Sequence, residues 1–405
     1  MRFAIEGARL MLPGGIETAD LLVEDGLIAA VGSAAGAERR IDARGLVLAP
    51  ALVDLHGDAF ERQVMPRPGV FFPLETAVID TDRQLAAAGI ATAYHAVTLS
   101  WEPGLRALER GRAFIEAVAA LGPRLTVEHR IQLRWETFAF EAEALVEETL
   151  AQAPHTPSIA FNDHTSMAMR AFGISVQERA FEQSPDFEAA ALSDARLLQR
   201  TEGDAKRAGL TPAAYVERLG AVWKRRGEVD GAIRRIAAMG RAAGAPMLSH
   251  DDTRAETRRY YHDLGAQICE FPMVRAAAEA AHIAGDAIIF GSPNAVRGGS
   301  HIGSLGAADM VSAGRCDALA SDYYYPAMLA AVARLDRDEV APRHALWSLV
   351  SEGPARAMGL SDRGRIDAGL RADLVLLDWP EGGTPAVIAT YCAGRAAFQA
   401  QPAGR

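Results

Sequence analysis

The sequence predicts an α/β protein: a (β/α)8 TIM barrel with a small β-sandwich domain formed by both chain termini. Three observations carry this expectation. Apolar, strand-like runs alternate with helical stretches from residue 51 to 362, which is the pattern of parallel βα units. Eight such runs can be placed, the number that closes a barrel. The two ends of the chain share another texture, short strands punctuated by glycine. The chain therefore divides into 1–50 with 363–405 for the sandwich and 51–362 for the barrel.

In chain order, residues 2–50 read FAIEGARL, a turn at Pro13-Gly14-Gly15, then ADLLVEDGLIAAVG, where Asp25-Gly26 marks a hairpin. Barrel strands are predicted at 51–55, 91–97, 125–133, 158–161, 246–248, 267–271, 287–290 and 318–320. Several of these runs end in polar or small residues (HGD, NDH, SHDD, GSPN, SDY), as expected where barrel strands deliver side chains to the C-terminal mouth. The stretch 165–245 reads as a helical insertion over that mouth, with Thr211 before Pro212 as a helix start. GRIDAGLRADLVLLDWP and AVIATYCAGRAAF return to strand texture and close the chain.

With 405 residues, 49% hydrophobic and 23% charged, the chain can bury a large core, which excludes disorder and coiled-coil rods. No apolar run approaches the roughly 18 to 20 residues that span a bilayer. The start MRFAIEGARL lacks the order of a secretory signal, and Cys269, Cys316 and Cys392 show no CxxC spacing, so a reducing cytoplasm is the expected location. A net charge of −10 argues against a nucleic-acid surface. Barrels of this size are commonly dimers, which sets a homodimer as the expectation.

Chemistry begins at Leu55-His56-Gly57-Asp58. A strand's period of two puts His56 and Asp58 on one face, and an imidazole with a carboxylate can hold a divalent cation. Alone, the pair reads equally as a hydrogen-bonded strand terminus. Repetition gives it weight: Asn162-Asp163-His164, His250-Asp251-Asp252 and Ser321-Asp322 end other strands. The predicted set holds one or two divalent ions, Zn2+ first, with Mn2+ or Fe2+ also fitting mixed N/O ligands. Asp322 is expected to bind metal and to take the proton of the attacking water, while Asp251 and Asp252 orient His250.

Two adjacent cations need a bridging anion, and many barrels supply a carboxylated lysine. The only lysines here, Lys206 and Lys224, lie in the insertion. Glu136, which shares a strand face with Arg134, is therefore the predicted bridge, with Glu270 as the alternative. His95 and His129 stand near strand ends with metal and structural readings equally open; His155, His262, His282 and His344 read as structural.

Around the metals, Glu61-Arg62-Gln63-Val64-Met65-Pro66-Arg67-Pro68-Gly69 and Gly291-Ser292-Pro293-Asn294-Ala295-Val296-Arg297-Gly298-Gly299-Ser300-His301 place arginine beside Gly or Pro in mouth loops. Guanidinium forks and free backbone N–H groups suit phosphate oxygens. Arg62, Arg67, Arg134, Asn294, Arg297, Ser300 and His301 are the predicted substrate contacts.

The run LVDLHGDAFERQVMPRPGV with NDHT, SHDDT, EFP, GSPNAVRGGSH and SDYY resembles the amidohydrolase superfamily over essentially the whole chain. Within it, the chain resembles a group that removes pyrophosphate from ribose 1-phosphonate 5-triphosphates in phosphonate catabolism. The resemblance implies ligation by His56, Asp58, His164 and His250, Asp322 as the strand-eight acid, and a small phosphorylated or phosphonylated sugar as substrate. The chain departs from the group at Gly57 and Ala59, where Thr and Asn are usual, and at Thr165-Ser166-Met167-Ala168, where TPGQ is usual. Two other readings are a hydrolase of a C–N bond in a cyclic amide and a metal-dependent scaffold without turnover.

Overall fold

The computed structural model describes residues 2–299 and 305–401. Strand β1 (Arg2–Leu12) shows how one strand serves two registers. Phe3 and Ile5 face the core of the terminal sheet, then Gly7 takes φ 67° and the inward positions become Ala8 and Leu10. One extra residue at this bulge re-phases the alternation. One edge of β1 pairs with β2 (Gly15–Glu24), which carries β3 (Leu27–Val31). Its other edge takes β4 (Arg39–Asp42) along the first half and β5 (Val47–Pro50) along the second.

The next eight strands are β6 (Leu52–Gly57), β7 (Ile90–Leu99), β8 (Glu128–Glu136), β9 (Ser158–Asn162), β10 (Met247–His250), β11 (Ile268–Glu270), β12 (Ala287–Gly291) and β13 (Ala318–Ala320). Each lies parallel to its successor. A parallel bridge between Gly57 and Asp322 joins the last to the first, through Asp322 N–H to the His56 carbonyl and Asp58 N–H to the Asp322 carbonyl, both at 3.0 Å. Inside, Leu55, Tyr94, Ala160, Leu248, Ile268 and Ile289 form an apolar plug. This filled interior makes the barrel a platform rather than a pore.

Strands β14 (Leu374–Asp378), β15 (Ala386–Cys392) and β16 (Arg395–Gln399) return to the terminal sheet, in the order β16-β15-β14-β5-β1-β2-β3. The small β unit built by both termini is thus one continuous sheet.

Two expectations change. The third barrel strand, predicted at 125–133, runs Glu128–Glu136. Gly122–Arg124 forms a tight 3-10 turn, and the N–H groups of Thr126 and Val127 go to Asp82 instead of a ladder. The insertion is also not continuously helical. Helices cover His164–Met169, Arg196–Arg200, Glu202–Ala208 and Pro212–Trp223, the last capped by Thr211 as predicted, but none is assigned over 170–195. There, side chains take over the satisfaction of the backbone: buried Arg179 donates to the Val176 and Asp251 carbonyls, and Arg226 to those of Glu182 and Ser184. The helix Val229–Ala243 belongs to the barrel wall, packing Ile233 and Ile236 with Ile159 and Val146. Among the described residues no helix is long and apolar enough to cross a membrane.

Candidate metal centre

The barrel mouth converges on two imidazoles and one carboxylate. The pairing of β6 with β7 shifts register between Asp54 and Gly57, and His56, within that shift, is wholly buried. Nδ1 of His56 lies 2.9 Å from Oε1 of Glu270, and Nδ1 of His250 lies 2.7 Å from Oε2 of the same side chain. Burial opposes ionisation of Glu270, but the two imidazoles outweigh it and hold the carboxyl well below the usual range. An ionised carboxylate only accepts, so both rings carry their proton on Nδ1 and, when neutral, present a lone pair at Nε2. This is how carboxylates orient metal-binding imidazoles. Gln132 on β8 steadies Glu270, donating to Oε1 at 3.1 Å and to the Leu55 carbonyl at 3.3 Å.

Among the described residues, three groups of side chains bring ligand atoms within 4.8 Å of one another: His56, Asp58 and Asp322; His164, His250 and Asp251; and His56, His250 and Glu270. The third is the orienting contact just described. The first fits a divalent cation on an observation of its own. Nε2 of His56 is buried with no hydrogen-bond partner, a deficit that costs about 1 to 3 kcal/mol unless something occupies it. Burial, then the like charge of Asp58, pushes the Asp322 carboxyl up to about 7, a repulsion that a cation between the two would remove.

The second group is shared with an arginine. Arg134 donates to Asn162 Oδ1 at 2.9 Å, to Asp58 Oδ2 at 3.2 Å and to His250 Nε2 at 3.0 Å, lying between the two groups. His164 opens the helix after β9, whose Asp163 cap accepts Ser166 N–H at 2.7 Å. Glu136 takes the His164 backbone N–H at 3.1 Å and lies 2.5 Å from its Nδ1. Although burial opposes it, His164 and Arg134 hold the Glu136 carboxyl at about 2. Asp251, Phe271 and Asp322 all carry left-handed backbone, with φ between 55° and 60°, strain of about 1 to 3 kcal/mol each that clusters at working sites.

The structure brings His56, Asp58, His164, His250 and Asp322 to one mouth. Glu136 belongs to none of the three groups and instead grips His164, while Glu270, the alternative bridge, faces the Nδ1 side of two rings. Orientation of His250 falls to Glu270 rather than to Asp251 and Asp252: Asp252 turns to Ser249 Oγ at 2.5 Å, and Asp251 reaches only the Nε2 side of His250, at 3.6 Å. Asn294 accepts Ala307 N–H at 3.1 Å and donates to the Leu305 carbonyl at 2.9 Å, so its amide pins its own loop. Arg297 is exposed at the edge of a cavity of about 180 Å3 that also meets Arg134, His250, Asp322 and Tyr323. Arg62 is exposed over the Tyr324 ring, and Arg67 is exposed away from the described cavities. Ser300 and His301 lie outside the described residues. His95 and His129 form a buried chain ending on Asp82, at 2.7 and 3.0 Å, with Phe60 and Phe114 against His95; their role is structural.

Sequence reasoning missed Gln132 and gave Asn162 no role of its own, although the period of two through Gln132, Arg134 and Glu136 was a usable signal. It also missed a second cavity of about 350 Å3, which opens on Glu136 and His164 and is lined by Arg106, Arg170, Arg200 and Arg207.

A barrel closed at Asp322, with histidines and carboxylates gathered at its C-terminal mouth, is the frame of a metal-dependent hydrolase. The family description Amidohydrolase family matches residues 185–403. Over 379 residues the chain is 32% identical to the alpha-D-ribose 1-methylphosphonate 5-triphosphate diphosphatase of Escherichia coli (strain K12), covering 92% of this chain and 94% of that protein. It belongs to the amidohydrolase family, whose members work with divalent metal ions. Among solved structures, an amidohydrolase from an environmental sample of the Sargasso Sea superposes with a TM-score of 0.63 at 16% identity, covering 98% of this chain and 93% of that one. Phenylurea hydrolase B gives 0.63 at 14%, with 98% and 96% covered; both likenesses concern the fold.

Proposed function

We propose that the protein cleaves the 5-triphosphate of a ribose 1-phosphonate, releasing pyrophosphate, in phosphonate catabolism. The observation that carries the reading is the first ligand group, with its orphaned His56 Nε2, whose Asp322 lines a cavity that also holds Arg134 and Arg297. The 32% identity to the Escherichia coli diphosphatase supports the substrate class. His56, Asp58 and Asp322 would hold one divalent ion, Zn2+ first, and His164, His250 and Asp251 are the candidates for a second. Such an ion, when bound, brings the pKa of a water from about 16 to about 7 and so supplies a nucleophile at neutral pH.

The chain's own residues do the rest. Asp322 accepts the proton of the attacking water, a role its place at the barrel mouth beside His56 and Asp58 allows. The new bond forms between that oxygen and the α-phosphorus as the bond to the bridging oxygen breaks, in line, and pyrophosphate departs. Arg134, beside Asp58 and His250, offsets charge on the phosphoryl oxygens. No side-chain nucleophile is needed.

A side-by-side panel of ribose 5-triphosphate phosphonates, nucleoside triphosphates and cyclic amides tests this. Pyrophosphate release confined to the sugar triphosphates is expected; turnover of the amides alone would replace the reading with C–N hydrolysis.

A further inference from the structure

In the insertion, two arginines hold no carboxylate in direct contact; Asp194 acts on Arg200 only from a distance and is itself paired with Arg196. Arg170 donates to the Ile174 carbonyl at 3.1 Å and the Met167 carbonyl at 2.5 Å, and Arg200 to the Ala168 carbonyl at 2.9 Å and the Arg170 carbonyl at 2.5 Å. Among the described residues no carboxylate forms an ion pair with either. Arg200 is further fixed by stacking on Phe172, 3.8 Å from the ring centroid. Both half-buried guanidinium groups line the same cavity of about 350 Å3.

The acidic groups on that wall are already engaged. Glu102 accepts from Tyr215 and Arg207, Asp204 from Arg207, and Glu136 holds His164. Arg106 is matched by Glu61 in a two-point pair at 3.0 and 3.1 Å. The excess positive charge on that wall therefore gathers at Arg170 and Arg200, with Arg170 the less compensated of the two. Burial, then the neighbouring Arg200 and Arg179, brings the Arg170 pKa down to about 10, as expected of a cation that lacks an anion. Nε of Arg207 is also buried without a partner.

We infer that this cavity is the seat of the β- and γ-phosphates, and hence of the leaving pyrophosphate, with Arg170 and Arg200 as its anchors. The inference rests on the triphosphate reading above. Its geometry comes from position: the cavity opens on His164 and Glu136, so a substrate whose α-phosphorus sits at the ligand group extends its polyphosphate tail beneath the insertion. A volume near the lower end of the range for small-molecule sites suits a diphosphate, and planar guanidinium forks match its oxygens two at a time.

The test measures binding of inorganic pyrophosphate to the metal-loaded protein by calorimetry, together with KM and kcat for the sugar triphosphate. Arg170→Ala and Arg200→Ala should each weaken pyrophosphate binding roughly tenfold or more and raise KM by a similar factor. Ala168→Asp, which sets a carboxylate on the cavity wall and leaves both arginines in place, should do the same and covers the case in which an arginine variant fails to fold. Unchanged pyrophosphate affinity and KM in correctly folded variants overturn the assignment. If the parent releases no pyrophosphate from any triphosphate yet binds it in an arginine-dependent way, the catalytic reading falls and the anion site stands.

Discussion

The rings of His56 and His250 stack with centroids 5.5 Å apart, and both turn Nδ1 to the single carboxylate of Glu270. One side chain thereby sets the direction of two candidate ligands from different strands. Glu270→Gln keeps the shape but cannot accept from both rings. Loss of such an orienting carboxylate typically costs about 10- to 100-fold in metal affinity. Competition with a chelator should show that loss while the far-ultraviolet spectrum stays unchanged; equal retention of metal by both proteins would remove the orienting role.

Asp322 closes the barrel with its backbone and faces Asp58 with its side chain. Asp322→Asn leaves the closing hydrogen bonds intact and removes the proton acceptor, so kcat should drop about 10²- to 10⁴-fold with little change in the thermal midpoint. Steady-state kinetics beside a melting curve separates this from collapse of the fold. A variant with parental kcat would transfer the proton step elsewhere.

Gly57 marks a place where no side chain fits. A Cβ there would meet Asp54 Oδ2 at 2.6 Å and Ser321 Oγ at 3.0 Å, within the contacts that bind Asp54 to Ser321 N–H (3.0 Å) and Oγ (2.6 Å). Gly57→Ala should destabilise by about 1 to 3 kcal/mol and weaken metal retention, since His56 and Asp58 flank it. Denaturant melts with and without added metal check this, and an unshifted midpoint would contradict it.

Glu128, at the start of β8, meets Arg130 at 2.6 Å, Arg363 at 3.0 Å and Arg371 on the segment leading to the terminal sheet. Although burial opposes it, Arg363 and Arg371 bring its carboxyl down to about 2. The folded pKa lies below the unfolded value of about 4.3. Its stabilisation is therefore complete above about pH 4.3 and is lost as pH falls toward 2. Glu128→Gln should cost about 3 kcal/mol at neutral pH and flatten the acid limb between those values. Melting midpoints across that pH range decide it, and parallel curves for both proteins would refute it.

The barrel and the gathering of candidate ligands at its mouth were legible because both depend on short-range pattern. Side chains just past the end of a barrel strand reach the mouth, so His56, His164, His250 and Asp322 could be read from their places after apolar runs. The contacts of the Glu136 and Glu270 carboxylates could not, because their partners are set by which strands become neighbours: β8 lies beside β9, and β10 beside β11. Sequence reading sought anion-binding arginines in the glycine-rich mouth loops, where Arg62 and Arg297 are exposed and Arg297 edges a cavity. Arg170 and Arg200 escaped because the segment between them takes its shape from side chains such as Arg179 bonding to distant carbonyls, which leaves no periodic trace. Gly7 and its bulge show the same limit in the terminal sheet.

The most direct test of the central claim is hydrolysis of a ribose 1-phosphonate 5-triphosphate by the metal-loaded protein in 18O-labelled water, with products resolved by 31P spectroscopy. Attack at the α-phosphorus places the label in the 5-monophosphate product and leaves the released pyrophosphate unlabelled. Label in the pyrophosphate, or release of inorganic phosphate alone, contradicts it.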